Sequence, residues 1–190
     1  MNQDQIRKLI QQLIQHIDPE PTREGLRATP QRVARSFEKL FAGYDIDPLA
    51  QLTFFDSEQY DEMITCRDID FYSTCEHHLL PFYGKAYIGY IPDKKIIGLS
   101  KLPRIVEAFA RRLQNQERLT SQITDCLHRA LHAKGIGVII EATHLCMQAR
   151  GVEKQNTLVT TSSFRGLFKN NLNTRNEFLT LMHGGKTFQS

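Results

Sequence analysis

The run Ser73-Thr74-Cys75-Glu76-His77-His78 sets a thiol, a carboxylate and two imidazoles in four consecutive positions. Groups of that polarity lose their water on burial and recover nothing unless something binds to them. Cys75 and His78 are three apart, so in one helical turn or tight loop they face the same way, roughly 5–6 Å apart at Cβ. That suits two ligands on one metal ion. A third ligand has to arrive from elsewhere in the chain, and the fold must bring it here.

The remaining composition narrows the setting. A chain of 190 residues suffices for one substantial core, or for a core domain with a small appendage. With 41% hydrophobic and 24% charged residues, the expectation is a soluble globular protein. No stretch approaches the ~18 apolar residues of a membrane span, so no membrane partner is expected. The first residues lack the basic and apolar regions of a signal peptide, which makes a cytoplasmic location the expectation. In a reducing compartment Cys66, Cys75, Cys126 and Cys146 are expected as thiols or metal ligands rather than disulfides. A formal charge of +3 is too small to argue for nucleic acid and is compatible with a small anionic ligand.

Periodicity supplies the fold class. Ile6, Ile10, Leu13, Ile14 and Ile17 predict a helix over 1–17, ended by Asp18-Pro19-Glu20-Pro21. A second helix is expected after Thr29 as N-cap, with Pro30 in its first turn and Gly43 closing it. The pattern changes near Asp45–Pro48, dividing an N-terminal helical arm (1–45) from a mixed body (46–190). The body opens with a strand from Met63 to Phe71. Gly84–Ile91 and Lys95–Leu99, joined by Pro92-Asp93-Lys94, predict a hairpin. Helices follow over Lys101–Leu113 and Glu117–Ala133, ended by Gly135. Strands over Ile136–Met147 and Thr157–Ser163 and a helix over Leu172–Met182 complete the chain. Strands, then two helices, then strands predict an α+β fold with an antiparallel sheet and helices on one face.

The strand from Ile136 carries His144 and Cys146 two residues apart, so both should project from one face. This is a second donor set with the chemistry of the first. Zinc held by Cys75, His78 and Cys146 is therefore expected. Thiolate and imidazole are preferred donors of Zn²⁺, and three protein ligands leave a fourth position for water, the pattern of catalytic sites. Two thiolates cancel the ion's formal charge, so a nearby acid or base is needed, and His77 and His144 are the candidates. His128 and His132 are four apart on a helix, but Arg129 stands where a metalloprotease has glutamate, so they are assigned to a solvated face. His16 and His183 carry no partner pattern, and Cys66 and Cys126 are expected as core thiols.

Two further features admit two readings each. Ser100 precedes a helix whose first turn carries Lys101 and Arg104, either a phosphate site or ordinary helix surface. Arg150 adds a cation just past Cys146. Gln116-Glu117 opens the next helix, where a carboxylate either complements the dipole or accepts two parallel hydrogen bonds from a ligand such as guanine.

Several segments together resemble the GTP cyclohydrolase I family. They are Arg23-Glu24-Gly25-Leu26, Thr29-Pro30-Gln31-Arg32-Val33-Ala34, Cys75-Glu76-His77-His78, Gly84-Lys85 and Tyr90-Ile91-Pro92. Gly98-Leu99-Ser100-Lys101, Gln116-Glu117-Arg118-Leu119-Thr120, His144-Leu145-Cys146-Met147, Arg150-Gly151-Val152 and Asn173-Thr174-Arg175 continue the match in family order. The resemblance implies a tunnelling fold, with a four-stranded antiparallel sheet and two helices on one face. It also implies a homodecamer with active sites at subunit boundaries.

By the same resemblance, Cys75, His78 and Cys146 hold Zn²⁺, and Glu117 with Gln116 holds the guanine of GTP. Ser100, Lys101, Arg104 and Arg150 contact the triphosphate, with Arg32 as a further basic position. His144 protonates the imidazole ring as water adds at C8, with His77 and Ser100 assisting. Formate leaves, and 7,8-dihydroneopterin triphosphate is the implied product, the first step of pterin synthesis. One departure is Leu113, where many members have proline, which bears on the placement of Glu117. Two rivals are another purine or pterin enzyme of the same fold and a non-enzymatic zinc-stabilised binding module. The module would need a fourth protein ligand, and His144 is the candidate.

Overall fold

The computed structural model describes residues 1–182. Helix α1 (Gln3–Ile17) is capped by the Asn2 side chain, which accepts from the Gln5 N–H at 3.0 Å. A single turn, α2 (Glu24–Arg27), precedes α3 (Thr29–Leu40), and α1 and α3 pack together. Thr29 is the first helical residue rather than the cap, which is Ala28. Short 3₁₀ turns at Ala42–Tyr44 and Leu49–Gln51 lead to β1 (Phe54–Asp56).

The body is built on β2 (Ile64–Cys75) and β3 (Pro81–Ile91). A three-residue strand, β4 (Lys95–Ile97), follows, then α4 (Lys101–Ala110) and β5 (Leu113–Gln114). Next come α5 (Gln116–Leu131), β6 (Gly135–His144), α6 (Leu145–Gln148) and β7 (Val159–Gly166), and the described chain ends with α7 (Leu167–Asn170) and α8 (Leu172–Met182). The main sheet has the order β5-β2-β3-β6-β7. Its four long strands are antiparallel, and the two-residue β5 adds a parallel edge beside the end of β2. This is the expected α+β arrangement, a four-stranded antiparallel sheet with helices packed on it.

One face of the sheet forms the core. Ile136, Val138, Ile140 and Ala142 of β6 alternate onto it and meet Ile105 and Val106 of α4 and Leu119, Ile123 and Leu127 of α5. The opposite face is covered in part by Phe168 of α7 and Phe178 and Met182 of α8, around Ile139. Gly89 and Gly137 lie opposite each other across β3 and β6. A Cβ on Gly89 would stand 2.5 Å from the Phe178 ring, and one on Gly137 2.7 Å from Phe168. The paired glycines are the hollow into which the two rings settle.

Four further expectations are corrected. Gly84–Ile91 and Lys95–Leu99 do not form a hairpin: β3 is already paired on both edges, by β2 and β6, so β4 pairs with β1 instead. The strand from Ile136 stops at His144, and Cys146 lies on the turn of α6. The helix begun at Lys101 ends at Ala110, three residues before Leu113. Gly135 opens β6 rather than ending α5, which is closed by His132 in the left-handed region (φ 51°).

Candidate active site

The Cys/His run is the turn between β2 and β3. The Cys75 N–H donates to the Leu80 carbonyl at 2.8 Å, and the Leu79 N–H returns to the Cys75 carbonyl at 2.9 Å. That is one helical turn, so Cys75 and His78 share a side, and Cys75 Sγ lies 3.8 Å from His78 Nδ1. Cys146 arrives from the far side of β3. Because Phe82 of β3 pairs with His144 of β6, the chain that leaves β6 passes directly beside the turn. One ligand atom each from Cys75, His78 and Cys146 lies within 4.8 Å of the others. Both cysteines are buried and His78 is exposed.

Around a tetrahedral zinc with bonds of about 2.0–2.3 Å, ligand atoms sit roughly 3.6–3.8 Å apart. The 3.8 Å between Cys75 Sγ and His78 Nδ1 fits that spacing, and thiolate–imidazole–thiolate is zinc's chemistry. Burial, with the neighbouring Cys75, pushes the Cys146 thiol up.

The turn is anchored to the start of α5. The Glu76 N–H donates to the Gln114 carbonyl at 2.9 Å. The Glu76 carboxylate receives Arg118 through Nη1 and Nη2 and Asn115 Nδ2 at 3.1 Å, and these, Arg118 above all, hold it below the usual carboxylate range. Asn115 also caps α5, its side chain accepting from the Arg118 N–H at 2.8 Å. Arg118 Nε donates to Gln114 Oε1 at 2.9 Å. Residues 113–118 therefore act as a clamp on the Cys/His turn. Sequence reasoning missed Arg118 and Asn115, which lie about 40 positions from Glu76 and bear no local signal of the pairing. At Leu113 the backbone N–H donates to the Tyr44 hydroxyl at 3.1 Å, a bond proline could not make.

His144 is not a member of the three-residue ligand cluster. Its ring lies flat on Phe82, centroids 4.7 Å apart and 1° from parallel. Its Nε2 is 2.7 Å from Gln116 Oε1. Burial lowers the imidazole's affinity for a proton, and the nearby Glu117 carboxylate opposes this. Glu117 itself is exposed at the first turn of α5, while its neighbour Gln116 is only 2% exposed.

The remaining candidates fall in two groups. Arg150 Nη1 lies 3.2 Å from His78 Nε2, and His77 Nδ1 is 3.8 Å from Cys75 Sγ, so both stand at the cluster. Ser100, Lys101 and Arg104 stand at the first turn of α4. Ser100 occupies the cap position with helical angles and makes no side-chain cap bond. No hydrogen bond or ion pair among the described residues joins these three to the cluster. Arg32 is exposed on α3. His128 is half-buried and His132 exposed on the far end of α5, and His183 lies outside the described residues. Cys66 is half-buried and Cys126 buried, and burial raises both thiols.

A family model described as GTP cyclohydrolase I matches residues 6–183. The GTP cyclohydrolase 1 of Chlorobium chlorochromatii (strain CaD3) is 53% identical over 181 residues, covering 94% of this chain and 81% of that one. The GTP cyclohydrolase 1 of Leptospira biflexa serovar Patoc is 53% identical over 179 residues, covering 93% and 97%. The solved apo structure of an archaeosine synthase QueF-like protein overlays 55% of this chain and 93% of its own, with a TM-score of 0.45 and 13% identity.

Proposed function

The chain belongs to the GTP cyclohydrolase I family, and we propose that it hydrolyses GTP at C8 of guanine with a zinc ion held by Cys75, His78 and Cys146. The products are formate and 7,8-dihydroneopterin triphosphate, the first step of tetrahydrofolate and pterin synthesis. The observation that carries this reading is the meeting of two cysteines and a histidine beside a separate, half-buried histidine. A bound zinc ion supplies Lewis-acid activation of water.

The chain's own groups do the rest. Glu117, exposed at the head of α5, accepts the parallel N1–H and amino hydrogens of guanine. His144 protonates the imidazole ring as it opens, and its half-buried, weakly basic ring favours giving the proton up. His77 and Ser100 assist the later proton transfers of formate release, ribose rearrangement and ring closure.

Lys101, Arg104 and Arg150 bind the triphosphate, with Arg32 as a further cation. Arg150 has a specific trigger. A guanidinium only donates, so its approach to His78 Nε2 needs that nitrogen as acceptor. Were His78 to hold a metal through Nδ1, its Nε2 would carry hydrogen, and Arg150 would be released from it and available to phosphate. The family resemblance supports a site completed between subunits of a cytoplasmic homodecamer, with Ser100, Lys101 and Arg104 at the first turn of α4 as its phosphate contacts. The test is incubation with GTP, followed for formate and for a fluorescent pterin after oxidation. An assembled, zinc-loaded protein that released neither would overturn the reading.

A further inference from the structure

We propose that Gln116 is a positioning residue: its buried amide holds the His144 ring with Nε2 as donor, leaving Nδ1 to handle the substrate proton. This rests on the role given to His144 above. It differs from the role the family resemblance suggested for Gln116, that of a guanine contact.

The amide has only one workable orientation. Its nitrogen lies 3.0 Å from the Ile140 carbonyl, 2.9 Å from the Val159 carbonyl and 3.1 Å from Thr161 Oγ1. Carbonyl oxygens accept and never donate. The threonine is also an acceptor here. Thr120 Oγ1 donates to the Gln116 carbonyl at 2.7 Å, so its remaining role toward Thr161, 2.7 Å away, is to accept. Thr161 therefore spends its only hydrogen on Thr120 and turns lone pairs to Gln116. A flipped amide would set its oxygen against three acceptors. The oxygen must face His144, and at 2.7 Å the imidazole nitrogen opposite it has to carry hydrogen.

The consequence is a fixed tautomer and a fixed ring plane. Phe82 holds the ring flat from β3, and Gln116 fixes one nitrogen from α5. The amide has no hydrogen-bonding capacity left for guanine through its nitrogen. Two strands converge on it at the start of α5, β6 through Ile140 and β7 through Val159 and Thr161. The position of His144 is thereby tied to the sheet rather than to the ligand.

The test is a double-mutant cycle on the zinc-loaded, assembled enzyme. Gln116→Met keeps the volume and removes the acceptor. It should lower kcat by ~10–100-fold, the scale of a misplaced proton donor, with zinc content kept and KM for GTP within about threefold. In a His144→Ala background, where residual formate release is read under single turnover, Gln116→Met should change the rate less than twofold. A rise in KM with kcat kept would mean that Gln116 binds guanine, and an additive loss would mean that it acts apart from His144. Either overturns the proposal. A fully active His144→Ala would remove the proton-donor role itself, and with it this inference, whereas the other two results leave that role standing.

Discussion

Arg118 on α5 grips both carboxylate oxygens of Glu76, which follows Cys75 in the turn that carries the candidate metal ligands Cys75 and His78. The pair spans 42 positions of sequence and joins the β2–β3 turn to the helix whose first residues are Gln116 and Glu117. Bidentate geometry is something a lysine cannot reproduce. Arg118→Ala, and to a lesser degree Arg118→Lys, should weaken zinc binding by ~10-fold or more, as removal of a group that orients metal ligands does. Competition against a calibrated chelator measures this. Unchanged affinity in Arg118→Ala would show that the turn holds its shape unaided.

Metal removal should act on stability as well as turnover. Cys146→Ala leaves Cys75 and His78 as the two remaining ligands, and zinc content should fall from about one per chain to near zero. Chelator treatment of the wild type should abolish formate release and lower the melting temperature, since an ion bound by the folded state alone adds to its stability. Zinc restores both in the wild type and neither in the variant. A metal-free wild type with full activity would remove the metal from the reaction.

Glu117 should separate recognition from metal binding. Glu117→Gln exchanges one acceptor oxygen for a donor opposite the guanine amino edge, and kcat/KM for GTP should fall by ~100-fold or more. Zinc content should be unchanged, because Glu117 is exposed and makes no bond to the cluster. Normal turnover of GTP by this variant would reassign guanine recognition.

An alkaline dependence follows from the other face of the sheet. The Tyr87 hydroxyl donates to Glu141 Oε2 at 3.1 Å, and burial, with the Glu141 charge, pushes the phenol up to about 12. An unfolded tyrosine ionises near 10. The unfolded chain therefore releases this proton first, and the stabilisation present below pH 10 is lost as pH rises through about 12. Tyr87→Phe should lose less stability than the wild type between pH 8 and 11 in urea denaturation. Parallel losses would locate the alkaline sensitivity elsewhere.

The parts of the site legible in sequence were those with short-range chemistry. Cys75 and His78 announce themselves by spacing, and the turn they form is one helical turn. Cys146 was reached by a strand alternation that the chain does not follow there, because β6 gives way to α6 at Leu145. The hairpin assigned to Lys95–Leu99 failed for a topological reason. Which edges of β3 are free depends on β6, some forty residues later, and no local pattern in β3 carries that information. The partners of Glu76 and Gln116 were invisible for the same reason, since each is held by groups from other elements.

The change of backbone geometry between His144 and Cys146 gives the two side chains separate means of adjustment. On one continuous strand, a shift of pairing register would carry imidazole and sulfur together to the opposite face. Here the ring is moored to β3 and α5, while the sulfur hangs from a four-residue coil whose tilt can change without unzipping any ladder. The two halves of the chemistry can thus be tuned one at a time.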